Sequence, residues 1–149
     1  MHILEREIIL ATDPGTLWKF LSTPVNLNEL TPPELHFQIL SEVLDIMYNG
    51  LTILYEIRIP VFGKRRWLTE IKHIEQGAYF VDEQRAGPYK LWYHQHRIEP
   101  LDKKTRMIDR VCYQLPFGII GQLVHKFWIK NMLETIFAYR AARLVERFG

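Results

Sequence analysis

The chain has 149 residues, 48% of them apolar, and a single cysteine, Cys112; this length suits one domain with its own core, expected to span residues 1–149, and a disulfide within the chain is excluded. Nineteen Lys and Arg against seventeen Asp and Glu leave a formal net charge of +2, without the clustered basic surface that nucleic-acid binding uses, so no nucleic-acid partner is expected. No run approaches the ~18 apolar residues of a membrane span, and the alternating start Met1-His-Ile-Leu-Glu-Arg-Glu7 lacks the pattern of a secretory leader; a soluble, cytoplasmic protein is expected.

His2 to Leu10 reads as a first strand, and Thr12 or Asp13 can cap a helix whose first turn takes Pro14. That helix carries Leu17, Trp18, Phe20 and Leu21, with Trp18 and Phe20 read as packing residues, and stops before Pro24. A second short helical piece, Val25 to Leu30, ends at Pro32-Pro33. From Leu35 the period becomes two, as in strands with one buried face. Leu35, Phe37 and Ile39 alternate with His36, Gln38 and Leu40; Ile53, Tyr55 and Ile57 follow Asn49-Gly50; Trp67, Thr69 and Ile71 lie in Trp67 to Ile74. Further strands are predicted over Tyr79 to Arg85, Tyr89 to Ile98 and Arg106 to Leu115, separated by turns at Gln76-Gly77, Ala86-Gly87-Pro88 and Pro100 to Lys104. Lys64-Arg65-Arg66 is placed at a hairpin tip, as a solvated loop or as a contact for an anionic lipid or partner. From Gly121 to Arg147 a helical stripe of Leu123, Phe127, Leu133, Phe137, Ala141, Leu144 and Phe148 returns, giving a helix roughly 40 Å long at 1.5 Å per residue. A flat sheet of short strands would not cover it, so the sheet is expected to curl around it.

This order of elements, with Phe80-Val-Asp-Glu-Gln-Arg-Ala-Gly-Pro-Tyr-Lys-Leu-Trp-Tyr-His-Gln-His96 and Asp109-Arg-Val-Cys-Tyr-Gln-Leu-Pro-Phe-Gly118, resembles the ligand-binding, cyclase/dehydrase-like branch of the START/Bet v 1 (SRPBCC) superfamily over essentially the whole chain. The resemblance implies an α+β helix-grip fold, a curved seven-stranded antiparallel sheet around a long C-terminal helix with two short helices between strands 1 and 2. It also implies a cavity for lipids, polyketides or other apolar molecules. Members range from carriers to cyclases, so the fold does not fix the activity.

Residues two apart on a strand share a face, so Asp82 and Gln84 go with Phe80, while His94 and His96 go with Trp92. The turns are expected to bring Asp82 near Trp92 and His94 opposite Asp109, gathering Asp82, His94 and Asp109 with Thr69 and Tyr113 further along. An imidazole beside a carboxylate in a dry pocket can act as an acid or base; equally, the group can be a hydrogen-bonded patch that organises the wall or orients a ligand. His94-x-His96 with nearby carboxylates is also a set zinc or iron accepts, but the spacing is weak and the resemblance implies no general metal, so no metal or other cofactor is expected. Trp67, Trp92, Tyr55, Phe37, Met107 and Phe127 either line an apolar cavity or fill the core. Pro60, Gly63, Asn26 and Asn28 fall in loops, as turn chemistry or as a pocket mouth. Cys112 shares its strand phase with Arg110 and Gln114 and is placed on the outer face.

The leading expectation is binding of a hydrophobic small molecule, with Trp67, Thr69, Asp82, Gln84, Trp92, His94, His96, Met107, Asp109, Tyr113 and Phe127 as ligand-binding residues. The alternative is a polyketide cyclase/dehydratase-like enzyme in which His94, Asp109 and Asp82 are the catalytic candidates. A third class is an interaction module using an exposed apolar face.

Overall fold

A computed structural model describes residues 1–60 and 62–149. Strand β1 (His2–Leu10) leads to α1 (Pro14–Leu21) and, through a 3-10 turn at Pro24–Asn26, to α2 (Leu27–Leu30). There follow β2 (Gln38–Ile39), β3 (Thr52–Ile59), β4 (Gly63–Glu75), β5 (Tyr79–Ala86), β6 (Leu91–Leu101) and β7 (Lys104–Gln114). The C-terminal helix runs through α3 (Gly118–Val124), a π turn (His125–Ile129) and α4 (Lys130–Phe148). The strands make one seven-stranded sheet in the order β1-β7-β6-β5-β4-β3-β2, every neighbouring pair antiparallel.

Local chemistry explains the elements. Asp13 caps α1, accepting from the Thr16 backbone N–H at 2.9 Å, and Pro14 occupies the first turn, where no N–H is needed. On β3, Ile53, Tyr55, Ile57 and Ile59 are buried and alternate with less buried residues; Met107, Asp109, Val111 and Tyr113 do the same on β7, leaving Cys112 half-buried on the other face. Asn26 and Asn28 hydrogen-bond to the carbonyls of Phe20 and Val25. The register of β4 against β5 shifts after Leu68 and again after Lys72, with His73 in the left-handed region at φ 55°. Such bulges bend a strand and increase its twist, which curls the sheet.

Three expectations are corrected. The strand expected from Leu35 shrinks to Gln38–Ile39, because Pro33–Leu35 forms a 3-10 turn closed by His36 in a left-handed conformation. Lys64, Arg65 and Arg66 are not at a hairpin tip; they are strand residues of β4, opposite Arg58, Ile57 and Glu56. The helical stripe does not include Leu123 and Phe127, which are exposed. The core-facing register runs Val124, Ile129, Leu133, Phe137, and its one five-residue step falls on the π turn. A π turn takes up an extra residue, so α3 and α4 cannot share one 3.6-residue stripe.

As a result Phe117, Ile119, Ile120, Leu123 and Phe127 form an exposed apolar ridge at the start of the helix. Gly121 is buried beneath it, and a Cβ there would lie 2.1 Å from the Pro116 carbonyl oxygen. Gly121→Ala is therefore expected to destabilise the protein by about 1–3 kcal/mol, in line with overpacking against a backbone atom that cannot yield, measured by urea denaturation. Among the described residues, no helix is long and apolar enough to cross a membrane.

Candidate functional site

A cavity of about 190 Å³ lies between the inner face of the sheet, the α1–α2 segment and α4. One side is aromatic. Trp67 stacks near Tyr55, with ring centroids 5.7 Å apart, and meets Trp92 edge-on at 5.1 Å; Tyr89 closes against both tryptophans. Aromatic pairs favour such offset and edge-to-face arrangements. The Trp67 indole N–H is buried with no acceptor among the described residues.

The wall beside it, further along the same face of β6, is charged. Asp82 faces His94 across β5 and β6, and His96 faces Asp109 across β6 and β7. His94 Nδ1 lies 3.3 Å from Asp82 Oδ2, and its Nε2 lies 3.0 Å from Asp109 Oδ1. His96 Nε2 lies 2.6 Å from the same Asp82 oxygen, and its Nδ1 lies 2.9 Å from Asp109 Oδ1. From α4, Arg140 Nε donates to Asp109 Oδ2 at 3.0 Å, and its Nη2 lies 3.4 Å from His96 Nδ1. Each imidazole is thus held between two carboxylates, and the guanidinium closes the group from the helix side.

Packing fixes the rings. Phe80 stacks on His96 with centroids 4.1 Å apart, and Phe137 meets the His94 ring at 5.4 Å. Electrostatics follow the geometry. Burial opposes ionisation of Asp109, but the Arg140 guanidinium and the hydrogen bonds of His94 and His96 outweigh it, holding the carboxyl well below the usual carboxylate range. At Asp82 burial is again opposed, first by the charge of His94, and the result is a lowered value. Burial alone would discharge His94; the Asp82 charge and the bonds to both carboxylates reverse this and raise its pKa to about 9.

Trp67, Thr69, Asp82, Trp92, His94 and His96 of the predicted set line the cavity, as do Phe37 and Tyr55. Asp109 sits behind the two rings as a buried partner. Gln84 does not face the cavity; its amide clamps the β5–β6 turn, donating to the Tyr89 carbonyl at 2.7 Å and accepting from the Tyr89 N–H at 3.1 Å. Met107 is a core residue 1% exposed. Tyr113 is buried behind the aromatic wall, opposite Trp92 across β6 and β7, its hydroxyl 2.7 Å from His125 Nε2, and the His125 ring stacks on that of His2. Phe127, expected in the lining, is 71% exposed because of the π turn.

Arg140 was not among the predicted residues, yet a signal for it exists. It lies three residues after Phe137 and four before Leu144, both buried, so it occupies the apolar face of the helix, where a cation needs an acid opposite it.

No family model matches the sequence, and no curated protein matches it. Solved structures do match. The Zhui aromatase/cyclase from Streptomyces sp. R1128 superposes with a TM-score of 0.74 at 12% identity, covering 98% of this chain and 92% of that one. A START superfamily protein from Mycobacterium smegmatis matches with a TM-score of 0.66 at 14% identity, covering 97% of each chain. Ara h 8.0201 matches with a TM-score of 0.61 at 17% identity, covering 97% of this chain and 98% of that one. The protein therefore has the helix-grip fold of the START/Bet v 1-like (SRPBCC) proteins.

Proposed function

We propose that the protein binds a small apolar molecule of one or two aromatic rings in the cavity between sheet and helix, with a hydroxyl or carbonyl of that molecule against Asp82 and the two histidines. The observation that supports this is a single charged wall in a lining whose other residues are mostly aromatic and aliphatic. Apolar bodies with a few convergent polar groups are the usual make-up of small-molecule sites. Volume sets the size: a dry cavity of roughly 150 Å³ accepts benzene, so about 190 Å³ suits a monocyclic or compact bicyclic compound. A lipid chain or an extended polyketide requires the α1–α2 segment to move outward. The fold shared with an aromatase/cyclase and a START superfamily protein is compatible with such a ligand. The alternative in which His94 abstracts a proton as a general base gains little from the geometry, since both ring nitrogens already meet carboxylates.

Equilibrium dialysis with 2-naphthol tests the reading. Saturable binding of one molecule per chain is expected, with naphthalene bound at least ~10-fold more weakly, the equivalent of about 1.4 kcal/mol for the polar contact. Ile136→Trp, which fills the cavity from α4, is expected to abolish it. Absence of saturable binding, or equal binding by the Ile136→Trp variant, would overturn the proposal.

A further inference from the structure

Asp82, His94 and His96 each offer one ligand atom, and the three lie within 4.8 Å of one another. The arrangement behind them is more specific than that spacing. Asp109 Oδ1 lies 3.0 Å from His94 Nε2 and 2.9 Å from His96 Nδ1. A carboxylate only accepts, so the hydrogen bond between His96 Nε2 and Asp82 Oδ2 puts a hydrogen on Nε2 when no ion is bound and leaves Nδ1 to accept from Arg140 Nη2. His94 Nδ1 and His96 Nε2 are the nitrogens that face Asp82 Oδ2, at 3.3 and 2.6 Å. One nitrogen from each ring and a carboxylate oxygen therefore converge on one small volume, where a cation can take the place of the hydrogen.

Charge is compatible with an ion. With one ring protonated, that ring and Arg140 balance Asp82 and Asp109, and a divalent ion that displaces the proton leaves the cluster one positive charge. We infer that Asp82, His94 and His96 form a binding site for a divalent transition-metal ion, with Asp109 orienting both imidazoles from behind. When no metal is bound, a proton takes the ion's place.

The remaining features are those of a metal site. Metal-bound histidines commonly donate their second N–H to a carboxylate that fixes tautomer and ring orientation; here Asp109 is hydrogen-bonded to His94 Nε2 and lies 2.9 Å from His96 Nδ1, while Arg140 holds it in place. Phe80 and Phe137 pack against the rings, so little ordering remains when the ion binds. Ligands at about 2.1 Å in tetrahedral geometry stand roughly 3.4 Å apart, so His96 Nε2 and Asp82 Oδ2 must separate slightly. Asp82 can provide this movement, being the most accessible of the cluster with 21% of its side chain open. Asp82, His94 and His96 all line the cavity, so further coordination positions open into it. Two imidazoles and one carboxylate suit zinc, iron, cobalt or nickel rather than calcium or magnesium. The inference is independent of what fills the cavity, because the ion is tested alone.

The experiment is titration of chelator-treated protein with Co²⁺, followed by visible absorption and equilibrium dialysis, with Zn²⁺ as competitor. One Co²⁺ per chain is expected, with ligand-field bands of four- or five-coordinate cobalt that Zn²⁺ abolishes. Asp82→Asn and His96→Gln should lose at least 100-fold in affinity, and Asp109→Asn should keep the stoichiometry while losing 10- to 100-fold, the usual effect of a group behind the ligands. Among the described residues the stacked pair His2 and His125 is the other place where imidazoles meet, so a His2→Ala/His125→Ala variant is the control and should bind as the parent does. Far-UV circular dichroism establishes that each variant is folded, and Asp82→Asn, altering the least buried ligand, carries the test if His96→Gln does not fold. Cobalt uptake that is absent, unchanged in Asp82→Asn, or removed by the His2/His125 control would overturn the inference.

Discussion

Arg140→Met is expected to destabilise the protein by about 3 kcal/mol, the lower end for breaking a buried ion pair from one side. Arg140 is 7% exposed and Asp109 6%, so removing the guanidinium leaves a carboxylate that water cannot reach. The methionine keeps much of the aliphatic stem, so the loss reports the charge and its hydrogen bond more than packing. His94 and His96 still contact Asp109, which is why the lower end applies. For a chain of this size the shift in Tm is about 2–4 °C per kcal/mol, or ~10 °C in all. Arg140→Met/Asp109→Leu, which removes both charges, should recover most of the loss, as replacement of whole buried pairs by apolar groups often does. Urea denaturation of the three proteins measures this; a loss below ~1 kcal/mol for Arg140→Met would show that the helix does not stabilise the acid.

Stability measured with a chelator present should be greatest between the ordinary carboxylate value, 3.8, and the ordinary imidazole value, 6.5, and should decline as pH rises toward about 9. His94 is raised on folding, so its contribution is complete below 6.5 and is lost as pH passes through about 9. Above 6.5 the unfolded chain has released this proton while the folded one still holds it, so unfolding becomes progressively easier. At about 1.4 kcal/mol per pKa unit the loss is on the order of 3 kcal/mol. On the acid side Asp82 and Asp109, both lowered on folding, supply stability above 3.8 that disappears as pH falls. The groups facing His94 are Asp82 on β5, His96 on its own strand and Asp109 on β7, with Arg140 reaching Asp109 from α4. His94→Gln should flatten the alkaline decline of Tm. An unchanged slope in that variant would place the titration elsewhere.

Much of this was readable in the letters, for reasons that differ by residue. The bounds of β1, the Asp13 cap and the alternation of β3 to β7 follow from local chemistry, which depends on near neighbours only. That Asp82, His94 and Asp109 meet also follows from alternation, yet the β6–β7 register differs from the expected one by two residues. Asp82, expected near Trp92, stands opposite His94; Asp109, expected opposite His94, stands opposite His96. Turn length decides register, and residue types alone do not specify it. Leu101 pairs with Lys104, so only Asp102 and Lys103 turn the chain, whereas the β5–β6 connection is widened by the clamp of Gln84 on Tyr89. The π turn was illegible for a different reason. Apolar residues occur on both faces of the helix start, so hydrophobicity alone did not indicate which face is covered. Arg140 could have been read from its helical spacing, but only by treating a charge on an apolar face as information about the opposite wall.

The bond between Arg140 and Asp109 has one more consequence. Leucine, isoleucine and phenylalanine hold a helix against a sheet without directional preference, so such a contact tolerates a small slide or roll of the helix. A guanidinium nitrogen 3.0 Å from a carboxylate oxygen tolerates neither. It works as a dowel through two layers, setting how far along the sheet the helix sits and which way it is turned, and so gives the space between them one shape.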